Sequence, residues 1–221
     1  MSKNRNLEKM PGFLDKYATI FWDWDGVIKD SIDVKTVACE RLFLPYGASV
    51  SRSVTEHHEV NGGMSRFDKI PLYLRKAGVV ITDNVVEEFC SKFSNMVMER
   101  VINSPWVPGA LEYLKKAHAS TRFVLVTATP KNEIEVILER LGIRSYFQYV
   151  YGAPLPKTDA IAEVMTRHSL KPEQALMIGD ASADLIAAVN NSVCFLLRQT
   201  AINGLLQKSY TGPQVRDFYY E

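Results

Sequence analysis

At 221 residues with 47% hydrophobic side chains, the chain is long enough to bury a real core in one large domain, or in a domain carrying a sizeable insertion. Its formal net charge of +1 comes from interspersed signs with no block of like charge, which speaks against a nucleic-acid or membrane partner and for a small molecule. Cys39, Cys90 and Cys194 are odd in number, far apart and in no CxxC or Cys/His cluster, so neither a disulfide framework nor a zinc site is expected, and a reducing cytoplasm fits.

In chain order, residues 1–15 are polar, lack an apolar segment of signal-peptide length and read as an irregular lead-in. Residues 18–24 are an apolar run read as a buried strand, with Asp23 and Asp25 one residue apart at its tip and Gly26 following. Ser31 is placed to cap a helix running to about Tyr46 and ended by Gly47. Residues 50–62 and 65–76 read as two further helical pieces, the second bent or split at Pro71, because proline removes a backbone donor. Thr82 or Asp83 caps a longer helix whose Val86, Phe89, Phe93, Val97 and Val101 recur at three- and four-residue steps. Residues 31–103 therefore read as an inserted helical subdomain, interrupting a core made of residues 1–30 and 104–221.

From Pro105 the rhythm changes. Pro108 opens a helix to His118, residues 122–126 form a short buried strand ending at Thr127, and Pro130 opens another helix to Leu141. A weaker strand at 146–151, a helix at 157–168, a strand at 175–178, a helix at 182–190 and a strand at 193–197 complete the pattern. Strands alternating with helices predict an α/β fold with a parallel sheet covered on both faces. Ligands in such sheets bind beyond the carboxyl ends of the strands, where Asp23, Thr127 and Asp180 all fall. The aromatic end of residues 204–221 is a candidate to pack back onto the core, and no run approaches membrane-spanning length.

The chemistry-bearing residues share this address. At Asp23 and Asp25 one carboxylate can attack while the other moves a proton, and their repulsion favours a divalent cation in an oxygen-lined pocket; a plain turn is the alternative. A calcium loop is excluded, since counting from Asp23 puts Ile28 and Val34 where that pattern needs Gly and Glu. Thr127 and the amides that follow it, beginning with Ala128, lie near a helix start where phosphate can be held, unless Thr127 merely ends its strand. Lys157 at a helix N-terminus opposes the helix dipole, which points to a nearby anion or else to an ordinary solvated lysine. Asp180 and Asp184, four residues apart beyond a buried strand, have the spacing of metal ligands, with helix capping as the other reading of each. Arg66, in the NGGMSRF stretch with its two glycines, is a candidate substrate contact or a solvated arginine in a turn. His57 and His58 lack a third ligand at fitting spacing and read as surface or packing residues.

The ordered set DWDG, strand-end Thr127, Lys157 and GDASAD resembles the haloacid dehalogenase superfamily, in its phosphatase branch with a helical cap after the first motif, and within it the phosphoglycolate phosphatase and beta-phosphoglucomutase group. The resemblance covers about residues 20–197 and implies a Rossmann-like core, magnesium as cofactor and a small phosphate ester as substrate. It further implies Asp23 as nucleophile forming an aspartyl phosphate, Asp25 as acid and then base, Thr127 holding phosphoryl oxygens, and Lys157 neutralising them. Magnesium would be held by Asp23, the Asp25 carbonyl and Asp180, with Asp184 in support. For Asp25 to act as an acid its pKa should rise, through burial and nearby negative charge. Such a protein would act as a monomer or homodimer. A phosphomutase using the same aspartates, and a non-catalytic binding module keeping the fold, are the rival readings; a dehalogenase fits less well because Asp25 is present.

Overall fold

The computed structural model describes residues 10–219. Of the expected irregular lead-in, residues 1–9 lie outside the described residues, whereas Met10–Leu14 is a short helix, α1. Burial of Leu14 and Tyr17 against the core pins this segment down. The first strand, β1 (Thr19–Trp22), is shorter than the apolar run that predicts it and is buried along its length.

Residues 31–103 contain four α-helices and no strand: α2 (Ile32–Phe43), α3 (Ala48–Val60), α4 (Arg66–Lys76) and α5 (Asp83–Asn103). Ser31 precedes α2 but makes no capping bond. A 3-10 turn at Leu44–Tyr46 carries the first helix to Gly47. Of the bend or split expected at Pro71, the split does not occur: α4 runs through Pro71 as one helix. Pro71 removes one hydrogen bond near the helix start, while buried Ile70, Tyr73 and Leu74 hold the segment on the core. Thr82 caps α5, its Oγ1 accepting from the Val85 N–H at 3.3 Å. The predicted stripe is the face α5 buries: Phe89, Phe93, Val97 and Val101 are all inside.

The remainder is α6 (Ala110–Ala117), β2 (Arg122–Pro130), α7 (Lys131–Arg140), β3 (Tyr149–Ala153), α8 (Lys157–Arg167), β4 (Ala175–Gly179), α9 (Ser182–Asn190), β5 (Cys194–Arg198), α10 (Gly204–Ser209) and β6 (Gln214–Val215). The sheet is parallel in the order β3-β2-β1-β4-β5-β6 among the described residues. This is an α/β, Rossmann-like core. The central position of β1, between β2 and β4, puts the ends of three functional strands side by side. Alternation along β1 sends Ile20 and Trp22 into one core layer and Phe21 into the other.

Two differences matter for the site. Strand β2 does not stop at Thr127 but continues to Pro130, with a register shift against β3 between Val126 and Pro130 that re-aims the intervening side chains. The C-terminal segment does pack back: the Phe218 ring lies 5.3 Å from Trp22, and its N–H donates to the Pro108 carbonyl at 2.8 Å. No helix among the described residues is long and apolar enough to cross a membrane.

Candidate active site

The chain leaves β1 directly into Asp23, which is buried. Its Oδ1 accepts from the Trp24 N–H at 2.7 Å, and its Oδ2 receives the Lys157 ammonium at 2.8 Å. Lys157, the first residue of α8, also donates to Asp184 Oδ1 at 2.6 Å. An ammonium unfavourable to the helix dipole is thus held by two carboxylates, which is the anion its position called for. Asp184, fully buried in the first turn of α9, turns Oδ2 to the Ala181 N–H at 3.0 Å, so it caps the helix and pairs with Lys157 together.

Asp180, beyond the tip of β4, closes the group: oxygen atoms of Asp23, Asp180 and Asp184 all lie within 4.8 Å of one another. Gly26 makes this approach feasible. Its φ is +75°, and a Cβ there would land on Asp180 Oδ2 and sit 2.9 Å from Asp180 Cγ. Three carboxylates facing one ammonium leave an excess of buried negative charge. Burial and the Asp184 carboxylate push Asp23 up to about 7 in spite of Lys157. Burial, then Asp23 and Asp184, push Asp180 well above the usual carboxylate range. Oxygen donors that cannot all stay ionised without a further positive charge suit a hard divalent cation, so the residues present fit magnesium.

Asp25 belongs to a different network. Ser31 donates to its Oδ1 at 2.6 Å, Lys35 from α2 is ion-paired with its Oδ2, and Thr129 Oγ1 lies 3.3 Å from the same oxygen. Lys35 also donates to Thr129 Oγ1 at 2.8 Å. Burial raises the Asp25 pKa, but the Lys35 charge and the bonds from Lys35, Ser31 and Thr129 outweigh it, leaving Asp25 below the usual value. The expected upward shift is therefore corrected: a cation, not another carboxylate, is what Asp25 touches. Ser31 also makes no cap because its hydroxyl is spent on Asp25.

Thr127 is buried, its Oγ1 accepting from the Thr129 N–H at 3.2 Å. It is Ala128 that lines the cavity over Asp23 and Asp25. Arg66 also lies in the cavity wall, but its Nη1 is taken up by Glu133 of α7 at 2.7 Å and by Ser94 of α5, with the guanidinium stacked 4.8 Å over Phe93. That nitrogen thereby ties α4 to α5 and α7. Thr129, two residues beyond Thr127 on the same strand, was missed although that spacing puts the two on one side; Lys35 and Lys69 had no local signal. Of the adjacent histidines, His57 contacts the Tyr73 hydroxyl at 3.1 Å, and His58 is buried in the cavity wall.

The cavity has a volume of about 70 Å³ and draws its walls from both parts of the chain: Asp23, Asp25, Ala128 and Asp180 below, Lys35, His58 and Lys69 above. At about 10–15 Å³ for each water-sized group, that is room for about five to seven such groups. Gly63 seats the insertion closely on the core, since a Cβ there would meet Ala183 Cβ at 2.7 Å and Ala181 Cβ at 3.2 Å.

The chain is similar to known proteins in sequence and in fold. A family model described as haloacid dehalogenase-like hydrolase matches residues 20–197. Phosphoglycolate phosphatase 1 of Pseudomonas aeruginosa is 25% identical over 181 residues, covering 76% of this chain and 64% of that protein, so the chain spans less than two thirds of that relative's length. A phosphoglycolate phosphatase of Vibrio parahaemolyticus is 27% identical over 183 residues, covering 77% of this chain and 78% of that protein. Among solved structures, beta-phosphoglucomutase of Clostridium difficile aligns with a TM-score of 0.71 at 20% identity, over 91% of this chain and 92% of that chain; this likeness concerns the fold.

Proposed function

The chain belongs to the haloacid dehalogenase-like hydrolases, and from that membership and the site geometry we propose that it hydrolyses the phosphate ester of a small metabolite. The observation that carries this reading is the single Lys157 ammonium bridging Asp23 and Asp184 beside Asp180, with Asp25 on the same cavity. In phosphoryl transfer the protein works mainly by positioning and by neutralising charge, and such a constellation supplies both.

Asp23 attacks phosphorus: its oxygen–phosphorus bond forms as the bond to the leaving oxygen breaks, giving an aspartyl phosphate. Asp25 protonates that oxygen, then takes a proton from the water that attacks phosphorus, releasing inorganic phosphate and restoring Asp23. The ionised Asp25 of the structure is ready for the second of these steps. For the first it must hold a proton, which requires the Lys35 contact to loosen when a phosphoryl dianion arrives. Lys157 keeps Asp23 aimed and balances the phosphoryl oxygens, while Thr127 orders the end of β2 that presents Ala128. Magnesium, when bound to Asp23, Asp180, the Asp25 carbonyl and the supporting Asp184, would supply charge neutralisation for the transferred group. Residues 31–103 act as a cap that keeps bulk water from the intermediate. The cavity drawn from both parts and the Arg66–Glu133 pair support this.

The test is phosphate release from a panel of small phosphate esters by purified protein with magnesium, against the Asp23→Asn variant. Turnover by the wild type and none by the variant is expected. Absence of release from every ester, or a variant as active as the wild type, removes the reading, and isomerised sugar phosphate in place of free phosphate would make the protein a phosphomutase.

A further inference from the structure

The cavity lined by the carboxylates is lined also by Lys69 of α4. Lys69 is 3% exposed, and among the described residues its ammonium has two hydrogen-bond contacts, both with His58 and both at 3.5 Å: the ring Nδ1 and the backbone carbonyl. That distance is the outer limit of a hydrogen bond, and no carboxylate of the described residues pairs with Lys69.

The other buried lysines are satisfied. Lys157 has two carboxylates, Lys35 has Asp25 and Thr129, and Lys29 has the Ile102 carbonyl at 3.0 Å with the Trp106 ring 4.3 Å away. A buried ammonium without a counter-anion is expensive to keep, and Lys69 bears that cost on the wall of the cavity. The side chains around it do not offset its charge. Burial pushes the Cys39 thiol up to about 12, raises the Tyr73 phenol, and pushes His58 down to about 3, so all three stay neutral. Asp25, the nearest carboxylate in the cavity, is already paired with Lys35. Burial accordingly brings Lys69 down to about 7.

We propose that Lys69 receives a second anionic group on the substrate, so that the protein selects phosphate esters whose leaving portion carries a carboxylate or a further phosphate. This rests on the phosphatase reading and deepens it. Asp23 and Lys69 line the same cavity, so a leaving group whose phosphoryl end meets Asp23 shares that space with the Lys69 ammonium. A neutral alcohol there would leave the ammonium unpaired, whereas an anion completes a buried charge-assisted bond.

The experiment compares matched esters: 2-phosphoglycolate, the neutral 2-hydroxyethyl phosphate, the cationic phosphoethanolamine and ethylene glycol bisphosphate. For the wild type, kcat/KM for an anionic ester should exceed that for the neutral one by about 10- to 100-fold, the size of a hydrogen bond to a charged group. The better of the carboxylate and bisphosphate identifies the anion. Lys69→Met should erase the preference, mostly through KM, leave the neutral ester within about threefold, and melt no lower than the wild type because an unpaired buried charge is gone. Equal use of neutral and anionic esters, or a preference that survives Lys69→Met, overturns the proposal while phosphate release keeps the phosphatase reading. If no ester is turned over, that reading falls. Calorimetric binding of the same esters to Asp23→Asn, with and without Lys69→Met, still decides the proposal: anionic esters binding about 10-fold or more tighter only when Lys69 is present uphold it, and equal binding overturns it.

Discussion

Asp180→Asn should make the protein inactive and, without metal, more stable. The substitution removes one of three buried charges whose oxygens lie within 4.8 Å of one another. Two full charges at that spacing repel by about 3.5 kcal/mol at an effective dielectric constant of about 20. Because Asp23 and Asp180 already relieve part of this by retaining protons, roughly 1–2 kcal/mol of it is available to be recovered. The new amide can also donate to the neighbouring carboxylates. For a chain of this size 1 kcal/mol moves Tm by about 2–4 °C, so the variant should melt about 2–8 °C above the wild type in chelator. Magnesium reverses the ranking. At a hundred times its Kd it stabilises the wild type by about 2.7 kcal/mol, or about 5–10 °C, and the variant hardly at all. Scanning calorimetry in chelator and in excess magnesium measures both shifts. A variant that melts lower than the wild type in chelator, or that gains as much from magnesium, refutes the idea that these carboxylates are strained for want of a cation.

Gly26→Ala should cost activity more than 100-fold, because its Cβ displaces Asp180 Oδ2 and its φ of +75° adds about 1–2 kcal/mol of strain; phosphate release and urea unfolding measure the two losses. Glu133→Gln should raise KM several-fold with kcat within about threefold, because it removes the charge paired with Arg66 and leaves Ser94 as the remaining partner of Nη1, and an unchanged KM would show that the Arg66–Glu133 pair does not influence closure. Phe218→Ala should destabilise the fold by about 3–5 kcal/mol in urea titrations through the space left over Trp22, and a loss under 1 kcal/mol would mean the tail is dispensable. His58 is held near 3 in the folded protein against an ordinary value of about 6.5, so its contribution to stability is whole above pH ~6.5 and is lost as pH falls toward 3. His58→Gln should flatten that limb of the stability curve, and an unchanged acid limb would place the sensitivity elsewhere.

The strand ends and the acidic motifs were legible because their information is local: an apolar run, a turn residue and a carboxylate at fixed spacing mark where β1 and β4 stop and where Asp23 and Asp180 stand. Lys157 was legible for a related reason, since a cation at a helix start is a visible electrostatic misfit. Lys35 and Lys69 were not, because single lysines on helices of the insertion look like solvated residues until tertiary packing buries them. The same holds for Arg66: no pattern in the NGGMSRF stretch announces Glu133, far along the chain on α7. Strand β2 outran its prediction because a register shift, set by pairing with β3, lets it continue past Thr127. The two-residue β6 and the five-residue α1 are held by what they dock onto, so neither length nor periodicity reveals them.

The Phe218 contact also bears on how the molecule is made. Trp22 is synthesised early, yet the ring that covers it emerges only when nearly all the rest of the domain has been translated. Until then Trp22 has the Tyr113 and Phe123 rings beside it but lacks the Phe218 ring. Contacts this remote in sequence are slow to close, so this one is completed late in folding.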